Sequence, residues 1–240
     1  MTSASANLTI DTDDGPMPAY EASTKGEPRG GIVVIQEAFG VTSHIEDVAR
    51  RLADAGWHAV APSLFHRQGS PVFDYDDLAS VMPAMQQLTA AHVETDVTAA
   101  FDYLDSIGFG PSRTGIVGFC MGGTVTFVAA TLRPVGAAVT FYGGGVRQGR
   151  FGLPGLIDLA PSLQTPWLGL FGDLDKSIPV EDVEALRAAT AAVAIDTEIV
   201  RYPDADHGFH CNDRPAVFNP HAAADAWHRT LTWFDDHLAG

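Results

Sequence analysis

The chain is short of cysteine, of positive charge and of long apolar runs. Its 240 residues hold two cysteines, Cys120 and Cys211. Two cannot build the disulfide framework that small secreted domains rely on. Lys and Arg together number 14 against 30 Asp and Glu, a formal net charge of -16. Nothing forms the basic stripe that neutralises phosphates, so nucleic acid is excluded as an expected partner. An anionic membrane surface would repel the chain. No apolar run approaches the ~18 residues of a membrane span. The opening MTSASANLTIDTDDGPM lacks the basic and apolar regions of a secretory signal. A reduced, cytoplasmic setting is therefore expected. Internal repeats, low-complexity tracts and interdomain linkers are absent too.

What is present is 46% hydrophobic and 18% charged. That is enough for one sizeable core, and residues 1–240 read as a single domain. Asn7–Asp11, a DDGP turn at Asp13–Pro16 and Met17–Ala22 predict an antiparallel pair. Ile32–Ile35, His58–Ala61, Thr114–Gly118, Gly136–Tyr142, Trp167–Phe171 and Asp196–Arg201 read as further strands. Helical patterns fall at His44–Ala55, once or twice within Asp74–Ile107, and at Met121–Leu132, Val180–Val193 and Pro220–Leu238. Gly143–Ser162 is a glycine-rich loop with a short helix at most. The alternation predicts an α/β fold, with a mostly parallel central sheet and helices on both faces.

Gly118-Phe119-Cys120-Met121-Gly122-Gly123 follows a predicted strand and opens a predicted helix. It is the nucleophile-elbow pattern G-x-S-x-G with Cys in place of Ser. The turn is tight, and side chains at Gly118 and Gly122 would collide with the neighbouring strand and helix. A helix N-terminus and an adjacent imidazolium both favour a thiolate. The amide of Met121 would point at a developing oxyanion. Two later segments supply partners in post-strand loops. Asp173-Leu174-Asp175-Lys176-Ser177-Ile178-Pro179 offers a carboxylate to orient a base, with Asp175 favoured and Asp173 as the alternative. Asp204-Ala205-Asp206-His207-Gly208-Phe209 offers His207 as general base. The order nucleophile, acid, His is that of the α/β-hydrolase fold. A zinc reading of His207, His210 and Cys211 lacks a supporting ligand cluster, and no metal is expected.

With these segments and Gln36-Glu37-Ala38-Phe39-Gly40-Val41, the sequence from about Ile32 to Leu238 resembles the dienelactone hydrolase, or carboxymethylenebutenolidase, family. The resemblance implies a Cys-His-Asp triad at Cys120, His207 and Asp175. It implies hydrolysis of enol-lactones or related small esters without cofactor, by a monomer or homodimer. It also assigns Glu37 to restraining the resting thiol and the Ala38 amide to the second oxyanion donor. Phe39, Tyr142, Phe209 and Trp167 are candidate walls of an acyl pocket. Cys211 is expected to line it, or to pair with Cys120 on oxidation.

The family's carboxylate-binding arginines are not reproduced. Phe73–Leu88 contains no Arg or Lys, Cys211 stands four residues after His207, and Gly208 replaces a serine. Arg67 and Arg214 could reach the pocket by another route, although a surface cap or ion pair suits Arg214 better. Neutral or differently shaped esters are therefore the expected substrates. The alternatives are another electrophile, such as a phosphotriester, or a non-catalytic ligand-binding protein on the same fold.

Overall fold

A computed structural model describes residues 3–239. Among these residues eight strands form one sheet: β1 (Ala4–Thr12), β2 (Gly15–Ser23), β3 (Gly31–Ile35), β4 (His58–Pro62), β5 (Thr114–Phe119), β6 (Ala137–Phe141), β7 (Trp167–Gly172) and β8 (Thr197–Tyr202). Their spatial order is β1-β2-β4-β3-β5-β6-β7-β8. The first two are an antiparallel hairpin, and β2 meets β4 antiparallel. From β4 to β8 every pairing is parallel. Strands β3 to β7 are buried at every residue. This is why they read as apolar runs without alternation, since both faces are covered.

Among the described residues seven α-helices supply the cover: α1 (Ser43–Asp54), α2 (Leu78–Gln87), α3 (Ala90–Ser106), α4 (Met121–Leu132), α5 (Leu156–Leu159), α6 (Val180–Thr190) and α7 (Pro220–His237). Helix α1 buries Ile45, Val48, Ala49 and Leu52 on its apolar stripe. It meets α7 where the Arg51 guanidinium lies 4.1 Å from the Trp227 ring centroid. The predicted helical stretch Asp74–Ile107 is two helices, because each start has its own cap. Asp77 accepts from the Ser80 amide and Thr89 from the His92 amide. Asn219 caps α7 through the amides of His221 and Ala222. No helix among the described residues is long and apolar enough to cross a membrane.

The α/β architecture matters here because it stacks loops. The loops that follow β3, β5, β6, β7 and β8 all emerge at the carboxyl edge of the parallel strands. Ligands bind at that edge in open α/β sheets.

Candidate active site

Cys120 sits between β5 and α4 with φ 56 and ψ -115. A non-glycine residue in that region is strained by roughly 1–3 kcal/mol. Two glycines make the turn possible by steric default. A Cβ on Gly118 would lie 2.1 Å from the Gly122 carbonyl oxygen and 2.5 Å from the Thr126 hydroxyl. One on Gly122 would lie 2.5 Å from the carbonyl oxygens of Ile35 and Gln36. The turn therefore brings the start of α4 against the end of β3, and leaves the Cys120 thiol half-buried.

Beyond β7, Asp175 is almost wholly covered. Its Oδ1 accepts from the Ser177 amide at 2.8 Å and from the Ser177 hydroxyl at 2.6 Å. Its Oδ2 receives His207 Nδ1 at 2.6 Å. With Nδ1–H committed to the carboxylate, Nε2 of His207 is left for Cys120. Burial raises the Asp175 carboxyl, but the hydrogen bond and charge of His207, then Ser177, outweigh it and hold the carboxyl low. For His207 burial opposes the charged ring. Attraction to Cys120 and the hydrogen bond to Asp175 overcome that and push it up to about 10. The arrangement sets an oriented base beside a thiol, the pairing from which a thiol can be activated to attack.

Asp173, the alternative carboxylate, faces elsewhere. It pairs with Arg201 of β8 at 2.7 and 2.8 Å. The sequence reading missed Ser177, although the Asp-x-Ser spacing is that of a side-chain turn. His210 diverges from His207. It stacks on Phe119 with ring centroids 5.2 Å apart and lies 5.4 Å from His44. Among the described residues no group of three or more His, Cys, Asp or Glu is placed to hold a metal.

The loop after β3 brings in Glu37. It is fully buried, and neither carboxylate oxygen has a hydrogen-bond partner among the described residues. Desolvation raises its carboxyl, against smaller opposing effects of Arg214 and His207. Tyr142, the residue after β6, has φ 39. Its ring centroid is 5.1 Å from that of His207, and its buried hydroxyl approaches Glu37 without a well-formed hydrogen bond. The amides of Ala38 and Met121 make no hydrogen bond among the described residues.

A strap covers the Glu37 loop. The Phe73 amide donates to the Phe39 carbonyl at 2.9 Å. The Tyr75 ring packs edge-on against Phe39 at 4.7 Å. Its hydroxyl lies 3.1 Å from Thr42 Oγ1 and 3.5 Å from Cys211 Sγ. Burial raises the Cys211 thiol to about 11. Tyr75 and Thr42 carried no sequence signal, because neither belongs to a motif.

Six expectations change. Trp167 does not wall the pocket. It opens β7 at the far end of the sheet, donates to Thr140 Oγ1 at 2.9 Å and packs on Phe127. Tyr142, Phe209 and Cys211 are fully buried and present no surface to a substrate. Phe209 instead backs Tyr142, with ring centroids 5.3 Å apart. Arg67 is held by Asp14 and the buried Asp96, and so does not reach the site. Arg214 is not a surface cap. Its guanidinium lies 5.6 Å from the Phe39 ring centroid and 5.7 Å from that of Tyr75. It fills the space beside Gly208, where a Cβ would lie 2.6 Å from its Nη1. The missing side chain at 208 thus admits an arginine from six residues later.

Residues 17–238 match the Dienelactone hydrolase family. A protein of Escherichia coli O157:H7 named "Putative carboxymethylenebutenolidase" is 39% identical over 229 residues, spanning 92% of this chain and 83% of that protein. The crystal structure of a "Putative Dienelactone Hydrolase from Klebsiella pneumoniae subsp. pneumoniae MGH 78578" superposes with a TM-score of 0.90 at 36% identity, over 98% of this chain and 99% of that one. That of a dienelactone hydrolase-like promiscuous phosphotriesterase from metagenomic libraries superposes with a TM-score of 0.82 at 26% identity, over 98% and 100%. The chain, a hydrolase of the α/β-hydrolase fold, therefore belongs to the dienelactone hydrolase family.

Proposed function

We propose that the protein hydrolyses small esters or lactones without a cofactor, through a thioester on Cys120. The observation that carries this reading is the His207 imidazole, pinned by Asp175 at 2.6 Å and turned toward a thiol on a strained elbow. His207 Nε2 takes the thiol proton as the sulfur attacks the carbonyl carbon. The Ala38 and Met121 amides receive the oxyanion. Collapse breaks the ester C–O bond, and the imidazolium protonates the departing oxygen. His207 then deprotonates a water that attacks the thioester, and the acid leaves as the thiol reforms. Asp175 acts by positioning His207 and stabilising its charge. Glu37, buried without a partner, opposes a second negative charge nearby and so restrains the resting thiolate.

Substrate choice follows from the positive charge available. No Arg or Lys stands in Phe73–Leu88, so a two-armed grip on a substrate carboxylate is missing, and Arg214 provides one cation. Neutral small esters fit this site at least as well as dienelactone. Steady-state kinetics on p-nitrophenyl acetate and cis-dienelactone test the preference. Comparable or higher kcat/KM for the neutral ester is expected, and a large excess for dienelactone contradicts it. A second electrophile, a phosphotriester, is favoured by the relative described as a promiscuous phosphotriesterase. Paraoxon hydrolysis that disappears in Cys120→Ala would support it. A ligand-binding role without catalysis predicts a thiol alkylated by iodoacetamide no faster than free cysteine at neutral pH.

A further inference from the structure

Gln36 ends the run that leads out of β3 and is fully buried. Its carboxamide bridges two segments. Oε1 accepts from the Leu64 amide at 3.1 Å, and Nε2 donates to the Glu37 carbonyl oxygen at 3.2 Å. The Leu64 N–H is a donor, so the oxygen must face it, and the orientation of the group is fixed by chemistry. A trans peptide sets its C=O and the following N–H on opposite sides of one rigid plane. Whatever fixes the Glu37 carbonyl therefore also aims the Ala38 amide.

The other amide at the site shows what such fixing requires. Met121 N–H shares a plane with the Cys120 carbonyl. That oxygen accepts from Gly123 N at 3.0 Å and Thr124 N at 3.3 Å. Those are helix bonds, available to almost any sequence. The Glu37 carbonyl has no helix to hold it. Its backbone partner is Gly40 N at 3.4 Å, the long end of the range, and the shorter of its two bonds comes from a side chain. The backbone carbonyl of Gln36 itself lies close over Gly122, where a Cβ would lie 2.5 Å away.

We propose that Gln36 is a positioning residue for the oxyanion hole. Its carboxamide locks the Glu37–Ala38 peptide so that the Ala38 N–H meets the oxygen that becomes charged in the tetrahedral intermediate. The proposal rests on the Cys120 esterase reading. Without the carboxamide the plane swings, and the donor is lost at the moment it is needed. Loss of one oxyanion donor lowers kcat by about 10²–10³-fold, while ground-state binding changes little.

The test compares wild type with Gln36→Met, of similar length but without donor or acceptor. Three quantities are read: kcat and KM for an aryl ester, the inhibition constant of a small aldehyde, and the rate of iodoacetamide alkylation of Cys120. The aldehyde adds the thiol to form a hemithioacetal whose oxygen sits in the hole. Alkylation displaces iodide at a saturated carbon and forms no oxyanion, so it reports the thiolate alone. Expected are a fall in kcat of ~10–10³-fold, a parallel loss of aldehyde affinity, and KM and alkylation within ~3-fold of wild type. Unchanged kcat, or alkylation slowed in step with kcat, would overturn the proposal.

Gln36→Glu is the second variant, and it keeps an acceptor for Leu64. Its neutral carboxyl can donate to the Glu37 carbonyl, whereas its carboxylate cannot. The ratio of ester turnover to alkylation cancels any effect of the added charge on the thiolate. That ratio should fall relative to wild type as pH rises, and a ratio equal to wild type throughout also overturns the role. Cys120→Ala on the same ester separates the two claims. Wild-type rates there refute the nucleophile itself, whereas a dead Cys120→Ala with an unaffected Gln36→Met refutes Gln36 alone.

Discussion

Two loops meet at the Cys120 thiol, and they are held by different means. The elbow after β5 is fixed by backbone: Gly118 and Gly122 leave no room for a Cβ, and helix bonds tie down the Cys120 carbonyl. The Glu37 loop after β3 is fixed by side chains and by a strap. Gln36 grips one carbonyl, Phe73 another, and Tyr75 lies across Phe39 and Thr42. At the elbow a side chain on either glycine would clash with backbone. The Glu37 loop has a buried carboxylate whose oxygens lack partners, and a facing tyrosine hydroxyl in the same condition. An unsatisfied buried polar group costs about 1–3 kcal/mol or more. One half of the site is rigid by construction. The other is held at a cost.

Substitutions can break this contrast or sharpen it. Asp175→Asn sets the upper scale, because it removes the acceptor that fixes the His207 tautomer. A fall in kcat/KM of up to about 10⁴-fold is expected on an activated ester. A fall below tenfold would mean that the 2.6 Å bond does not position the base.

On the rigid side, Gly122→Ala forces a Cβ to within 2.5 Å of two carbonyl oxygens. Overpacking of this kind costs about 1–3 kcal/mol, read as a lower urea midpoint together with lost turnover. Wild-type stability and rate would show that the elbow is softer than its geometry implies.

On the side-chain-held side, Glu37→Gln should do the reverse. Burial holds the Glu37 carboxyl above its usual range, so the folded protein binds this proton more tightly than the unfolded chain does. The associated stability is present below the unfolded value and is lost as pH rises through the folded one. The variant should therefore gain on wild type between pH 5 and pH 8 by about 1–3 kcal/mol. Its Cys120 should also be alkylated several-fold faster at neutral pH. A variant that follows wild type in urea melts at both pH values would show that Glu37 finds partners in solution.

The smallest effect is expected from Tyr142→Phe. Removing a buried hydroxyl without a partner should leave stability within about 1 kcal/mol of wild type, or slightly raise it. A loss above 2 kcal/mol would reveal a bond to Glu37 that this conformation does not make.

The same contrast explains what could be read from sequence. The elbow was legible because its constraint is local: a strand, two glycines and a helix start within six residues. Asp175 and His207 followed because each sits a few residues beyond a strand end, and parallel strands deliver those ends to one edge. The Glu37 loop was legible only where resemblance named it. The grip of Gln36 on its neighbour's carbonyl depends on Leu64, 28 residues on. Tyr75 reaches Thr42 across 33 residues. Arg214 was misread because its route to Phe39 runs over Gly208, a contact that spacing alone does not encode. Trp167 was misread because a strand has two ends, and only the carboxyl end carries the site.

The central claim is that Cys120 attacks the substrate carbonyl, and hydrolysis of a panel of small esters and lactones by wild type and Cys120→Ala tests it most directly. The account predicts a fall of at least ~10³-fold in kcat/KM on every substrate that wild type turns over, with the variant still folded. Equal rates in the two proteins would contradict it.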